Sequence, residues 1–476
     1  MIPIRNKIIR NSWWIITQLV LFAAVEFLIN GYIHDNNINT FIALCWTADI
    51  VFIIEIALLY WKRKKFFDPI TIFAIIIFLF TFGQIILYSI GVVPNRFNVI
   101  EYTSMESIIE ALKFAVPGYI MFVFGCVMGS KSYISRNEDD NNVKYIDKKA
   151  ESVACLFIAI GFFPFLLTIA NNVRAIFIGG YNYYYNEGVR LSNYISFFSY
   201  YFYVGLFLLS GHNKETVRKT CFIILLIIVI IYALCGDRGT ALSLMLSSYL
   251  VYQHYGRKKA IGKPFITILL IIVGLASVSI IENWRMSANR GISFINIVTN
   301  SLVNNNILFS TLTNLGGTIY ALANVIMLIP STHEFIIGGS YLASLVLLIP
   351  SPLRIGLLGA IDKMEILSSP ASWLMNTLGL SYGPGFTPFA EAYLNFGYLG
   401  IPFMFILGFF FTKLFTAEYD ELHNTSYCFQ IFTFFILAMS ARGSFNYVFA
   451  FWIRYTLIPL FFIKHVKFKI RVANND

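Results

Sequence analysis

The chain has 476 residues, 58% hydrophobic and 17% aromatic but only 13% charged, with a mean hydropathy of +0.70 and a formal net charge of +10. Such a composition excludes a soluble globular domain. Apolar runs of about 18 residues or more, divided by short polar connections, exclude a β-barrel and leave an all-α polytopic membrane protein, because a helix satisfies its own backbone groups in lipid.

In chain order the apolar runs predict spans at 12–32, 39–61, 69–90, 113–130, 152–171, 194–211, 221–235, 239–255, 265–282, 393–415, 427–441 and 446–463, about twelve in all. The first run is long and lacks a small-residue cleavage site, so it reads as an uncleaved span. The chain then divides into nine spans over 1–282, a long outer connection over 283–392, and three spans with a tail over 393–476. That connection holds two further apolar pieces, 309–330 and 335–350, which read as two more spans, a re-entrant pair or helices on the membrane surface. The six cysteines fall within or at the ends of spans, and none has a disulfide or metal spacing.

Lysines set the orientation. The N-terminus, "WKRKKFF" (61–67), the 131–151 loop, "HNKETVRK" (212–219), "GRKKAIGK" (256–263) and the tail all alternate onto one side, which reads as cytoplasmic. The net charge is then a topology signal, not a footprint for nucleic acid. The opposite face receives Arg96, Arg174, Arg190, Arg238, Arg285, Arg290, Arg354 and Arg442, with Lys363 the one lysine clearly among them. Arginine's fixed fork binds phosphate and carboxylate bidentately, so an arginine-rich outer face points to an anionic ligand. Local pairing with Glu187, Asp237 or Glu282 is the structural alternative.

Two of these arginines stand in tight turns. "CGDRGTALSLML" places Asp237-Arg238-Gly239 before a span with Thr240 as its expected N-cap, and "SARGSFNYVFAF" repeats the pattern with Arg442, Gly443 and Ser444. A helix N-terminus offers free N–H groups and a positive dipole end, which suits a phosphate; a glycine after a helix is also an ordinary stop. A third polar insertion, "GPGFTPFAEAYLNFGYLG" (383–400), precedes a late span. There Thr387 and Pro388 read as N-cap and first helical residue, and Glu391, Asn395 and Tyr398 recur at helical spacing as a polar stripe in an apolar helix. Lipid would penalise such a stripe, so it is expected to face the bundle interior or a cavity.

The span pattern, the G-D-R-G turn, the long outer loop and the G-x-G-x-T-x-x-x-E-A-Y-x-N-F-G run together resemble the Wzy-type O-antigen polymerases, bacterial oligosaccharide repeat-unit polymerases. The resemblance implies a membrane-embedded glycosyltransferase of the C-type superfamily, in the bacterial inner membrane with its site facing the periplasm. It implies transfer of a growing glycan from undecaprenyl pyrophosphate to the sugar of an incoming lipid-linked unit, with no cofactor, metal or nucleotide sugar. Membrane lipids and a polysaccharide chain-length regulator are the partners it implies.

Residue chemistry fits that expectation. A pyrophosphate leaving group needs fixed positive charge, for which Arg238 and Arg442 are the first candidates, with Arg174, Arg190, Arg285, Arg290 and Arg354 as further substrate contacts. The acceptor hydroxyl needs a base or an oriented acceptor: Glu391 is the first choice and His333, in "PSTHEF", the second. Thr387, Asn395 and Tyr398 are candidate sugar contacts. An O-antigen ligase would use the same donor. A lipid-linked glycan flippase or transporter would draw on Glu26, Asp49, Glu55 and Arg454 inside the spans, although no internal repeat accompanies them. A structural scaffold would leave the outer arginines unexplained.

Overall fold

The computed structural model describes residues 2–32, 37–63, 68–94, 97–130, 145–186, 193–235, 237–255, 307–349, 364–380, 383–416 and 426–465. Among these every regular element is a helix, and nine helices are long and apolar enough to cross a membrane. Three shorter apolar helices, Tyr194–Leu209, Gly239–Tyr252 and Tyr427–Arg442, occupy positions where spans were expected. The expected span at 265–282 lies outside the described residues.

Several boundaries differ from the hydropathy reading. The piece at 309–330 is a candidate span, Leu308–Leu328, whereas in the piece at 335–350 the described helix is only Gly339–Val346. The span expected at 152–171 belongs to one helix, Lys148–Asn186, of 39 residues. At about 1.5 Å per residue it is roughly 58 Å long, well beyond a hydrocarbon core of about 30 Å. The span expected from 393 begins at Pro388, because its first turn carries a buried carboxylate that a hydropathy window rejects.

The chain forms two compact units. The first comprises Met1–Asn137, Ile271–Thr416 and Leu437–Val448. Its centre is the pairing of the Met105–Gly129 helix with the Gly400–Thr416 helix, which approach so closely that a Cβ on Gly125 would lie 2.1 Å from the Phe405 carbonyl oxygen and one on Gly408 2.0 Å from that of Phe122. Small residues at a helix crossing let backbones meet where no hydrophobic effect drives association. Phe73, Phe122 and Phe411 fill the adjoining core edge to face, with centroids 5.4–6.2 Å apart. Gln84, buried on the Pro69–Ser89 helix, donates to the carbonyls of Phe97 and Thr313 and accepts from the Val99 N–H. That helix is thereby tied to two later segments by a fully used amide.

The second unit comprises Glu138–Leu270, Ala417–Ile436 and Phe449–Asp476. Gly161 lies against Phe202, and Gly205 against Ala154 and Ile158, the order expected of an antiparallel pair between Lys148–Asn186 and Asn193–Leu209. The Glu215–Leu234 and Arg238–Tyr255 helices form a hairpin, with Phe222 and Tyr252 in contact at 4.7 Å between centroids.

Candidate functional site

The polar insertion at 383–400 builds a buried polar cluster in the first unit. Thr387 is extended, and its hydroxyl accepts the Ala390 N–H at 3.1 Å while its carbonyl accepts the Glu391 N–H at 3.0 Å, with Pro388 at the first helical position. The expected cap is therefore formed. The helix it starts, Pro388–Phe396, ends at Gly397, whose φ of +57° suits glycine, and the chain resumes as Gly400–Thr416 after one 3-10 turn.

This break divides the expected stripe. Glu391 and Asn395 stay together: the Asn395 side-chain amide donates to the Glu391 carbonyl at 2.7 Å and to the Ser340 hydroxyl at 2.9 Å. Tyr398, beyond the break, is exposed, and its hydroxyl donates to Glu110 at 3.1 Å. The i+7 spacing holds only while a helix stays continuous, and Gly397 ends that continuity.

Glu391 is wholly buried. Its Oε1 accepts the Ser340 hydroxyl at 2.7 Å, and its Oε2 accepts the backbone N–H of Phe445 at 2.5 Å. Phe445 is the first residue of the Phe445–Trp452 helix, directly after the Arg442-Gly443-Ser444 turn. The carboxylate thus serves as the cap of a helix distant in sequence, where both the dipole and a free N–H favour negative charge. A buried carboxylate is costly without such partners, and here charge-assisted bonds supply them.

Ser340 and Tyr341 complete the cluster and were not among the sequence candidates. Their one local signal is the pair of small residues, Gly338 and Gly339, that opens the helix carrying them. The Tyr341 ring meets Phe445 edge to face at 5.4 Å, and its hydroxyl is buried with no hydrogen-bond partner among the described residues. Burial first, and the nearby Glu391 carboxylate second, hold the phenol protonated well above its ordinary range.

Arg442 lies three residues before Phe445, at the end of the 3-10 turn that precedes that helix. Its side chain lies over Gly385, where a Cβ would come within 3.4 Å of the arginine Nε and 2.9 Å of Thr318 Cγ2; the φ of +79° at Gly385 likewise favours glycine. Arg442 is half-buried, and among the described residues no carboxylate pairs with it. A guanidinium held against bare backbone and left without a counter-charge can grip an anion bidentately.

The other candidates lie elsewhere. His333 packs edge to face on Trp373 at 5.3 Å, apart from the Glu391 network. Arg174 is exposed on the Lys148–Asn186 helix of the second unit. Arg238 begins the Arg238–Tyr255 helix of that unit; its side chain, like Arg96, Arg190, Arg285, Arg290, Arg354 and Lys363, lies outside the described residues. Thr240 is not the cap of that helix. Asp237 is: its carboxylate accepts the Thr240 N–H at 3.1 Å and the Thr240 hydroxyl at 2.8 Å, and its carbonyl accepts the Ala241 N–H at 3.1 Å. Aspartate is the stronger cap and stands one residue before the helix. In both R-G-[TS] turns, therefore, a protein carboxylate already occupies helix N–H groups.

The charges that a transport path would use have local partners. Asn30 donates to Glu26 at 3.0 Å, Ser89 to Asp49 at 2.5 Å and Gln18 to Glu55 at 2.7 Å, while Arg454 lies over the Phe197 ring at 5.7 Å.

The family model described as O-antigen polysaccharide polymerase Wzy matches residues 12–470. No curated protein sequence and no solved structure matches the chain. A helical membrane protein with a carboxylate-braced arginine turn is thus covered from its first span to its tail by one family, and the chain belongs to it: it is a multi-pass membrane O-antigen polymerase of the Wzy family, which joins lipid-linked oligosaccharide repeat units.

Proposed function

We propose that the chain transfers the growing glycan from a polyprenyl pyrophosphate carrier, at the outer face of the bacterial inner membrane, and that Arg442 holds the pyrophosphate. In this reaction the anomeric C–O bond to the pyrophosphate breaks and a glycosidic bond to the acceptor hydroxyl forms. The leaving pyrophosphate carries away the electron pair of the broken bond, and the hydroxyl proton passes to that departing pyrophosphate or to water. Charge therefore grows on the pyrophosphate, and a preplaced guanidinium stabilises it without reorganisation. The observation that carries the reading is the position of Arg442: against the bare backbone of Gly385, without a carboxylate partner among the described residues, and one turn from a helix start braced by Glu391.

Glu391 acts here by position. With both oxygens engaged and the side chain buried, it holds the Arg442 turn against the 383–400 loop, which favours bracing over proton abstraction. Asn395 and Thr387 hold the same scaffold, and Tyr398 lies outside it. Arg238, in its similar turn, is a second anion contact in this reading, and a chain-length regulator is a partner consistent with it.

Deletion of the gene followed by gel analysis of surface polysaccharide separates the alternatives. Loss of a polymerase leaves a single repeat unit on the core, loss of a ligase leaves none, and loss of a flippase blocks delivery. Capped single units restored to long chains by wild type but not by Arg442→Ala support the proposal. Absence of any unit on the core would reassign the chain to ligation or transport.

A further inference from the structure

The second unit holds a cavity of about 220 Å³ between the Glu215–Leu234 and Arg238–Tyr255 helices, at the end where the first begins and the second stops. It is unconnected with the polymerase reading above. Its mouth carries Glu215, Arg218 and Lys219; Phe222 and Tyr252 form its collar; and Leu225, Val251 and Ser248 line it further in.

Three observations point to a ligand. The first is Ser248. Helical serines commonly donate to the carbonyl four residues back, as Ser247 does to Ser243 at 2.7 Å, but the Ser248 hydroxyl is buried with no hydrogen-bond partner among the described residues. A buried hydroxyl without a partner is costly, and the residue that carries it is one of those around the cavity. The second is charge. Arg218 uses Nη1 to bind the carbonyls of His212 and Asn213, both at 2.8 Å, and lies over the Tyr145 ring at 5.0 Å, which fixes the guanidinium at the mouth. Lys219 pairs with Glu215 at 3.0 Å, so Arg218 leaves the mouth net positive. The third is the surface beside it: Ile223, Ile227 and Ile230 on the same helix, roughly a third of a turn round from the lining residues, are exposed apolar residues, as expected of a face turned to acyl chains.

We propose that this cavity seats the headgroup and glycerol of an anionic glycerophospholipid. Its phosphate lies at Arg218 and Lys219, an ester carbonyl accepts the Ser248 hydroxyl, and its acyl chains run out over the isoleucine face. The volume suits this division, since pockets that enclose a whole drug-sized ligand run from about 300 Å³ upward. This end of the helices also carries the "HNKETVRK" lysines and arginine, the pattern of the membrane side whose leaflet is rich in anionic lipid. A long-chain polyprenyl phosphate shares the phosphate but has no ester carbonyl for Ser248.

The test uses the full chain, purified in detergent and delipidated, with thermal unfolding followed as phosphatidylglycerol, phosphatidylcholine, a polyprenyl phosphate or inorganic phosphate is titrated in. Phosphatidylglycerol is expected to raise Tm saturably and more than phosphatidylcholine does. Lys219→Glu, an exposed change, is expected to weaken that apparent affinity roughly tenfold or more, and Ser248→Leu, which fills the cavity, to abolish the shift. Native mass spectrometry should find the anionic lipid retained on wild type and lost from Lys219→Glu. Equal shifts with phosphatidylcholine would overturn the proposal, as would a full shift with inorganic phosphate alone or a larger one with polyprenyl phosphate. An unchanged phosphatidylglycerol response in Lys219→Glu would do so even if Ser248→Leu failed to fold.

Discussion

The carboxylate of Glu391 accepts the backbone N–H of Phe445 at 2.5 Å across 54 residues of sequence, so the "EAYLNFG" helix and the R-G-S turn are braced by one charge-assisted bond. Ser340 holds the other carboxylate oxygen at 2.7 Å, and Asn395 holds Ser340, so the carboxylate cannot rotate away without stranding several buried groups.

Glu391→Gln tests bracing against proton transfer. Its amide oxygen can keep the Phe445 N–H and its NH2 can donate to the Ser340 hydroxyl, but the charge assistance is lost and the Ser340 hydroxyl hydrogen loses its acceptor, so stability should fall by about 1–3 kcal/mol, and chain length should shorten with it. Thermal unfolding and in vitro polymerisation at matched protein levels read the two effects. A variant of unchanged Tm with no turnover would instead assign Glu391 a chemical role.

Arg442→Ala should leave the protein in the membrane yet lower polymerisation by on the order of a hundredfold, about 3 kcal/mol of barrier. Arg442→Lys should recover little, because a point charge lacks the planar fork. Arg238→Ala should act in the same direction. Full-length polymer from both alanine variants at normal expression would remove the arginine turns from the site.

Gly385→Ala should cost more activity than stability. A side chain at φ +79° carries about 1–2 kcal/mol of strain, and its Cβ would press on Thr318 and on the Arg442 side chain. Kinetics on purified protein should show the turnover defect persisting at temperatures well below Tm.

Asp237→Ala removes the cap of the Arg238–Tyr255 helix and with it two hydrogen bonds from Thr240. A loss of about 1 kcal/mol is expected, while Thr240→Ala, which keeps the backbone bond, should cost less. The reverse order in thermal unfolding would restore Thr240 as the capping residue.

Ser331, exposed just after the Leu308–Leu328 helix, should be reachable from outside as Ser331→Cys by a membrane-impermeant thiol reagent in outer-membrane-permeabilised cells. Cys155 is the one exposed native cysteine and is best replaced by serine first. Labelling only after inner-membrane lysis would invert the orientation and move the proposed site to the other face.

The sequence by itself determined the class of this protein and much of its local structure. Hydropathy over consecutive residues selects membrane helices, and capping depends on near neighbours, so the helical membrane class and the Thr387–Pro388 helix start were legible, with nine described helices long and apolar enough to cross where about twelve spans were expected. Near-neighbour reasoning failed where a helix began earlier than expected, so that Asp237 caps it and Thr240 lies in its first turn, and where a glycine ended the helix on which a spacing argument relied, as at Gly397 before Tyr398. It could not reach the contacts that make the site. Ser340, Glu391 and Phe445 come from three separate segments, and nothing local to any of them marks the other two. Only packing in three dimensions decided that the buried carboxylate finds its partners in a distant hydroxyl and a distant helix start, because a charge removed from water must be satisfied by whatever donors the fold brings to it.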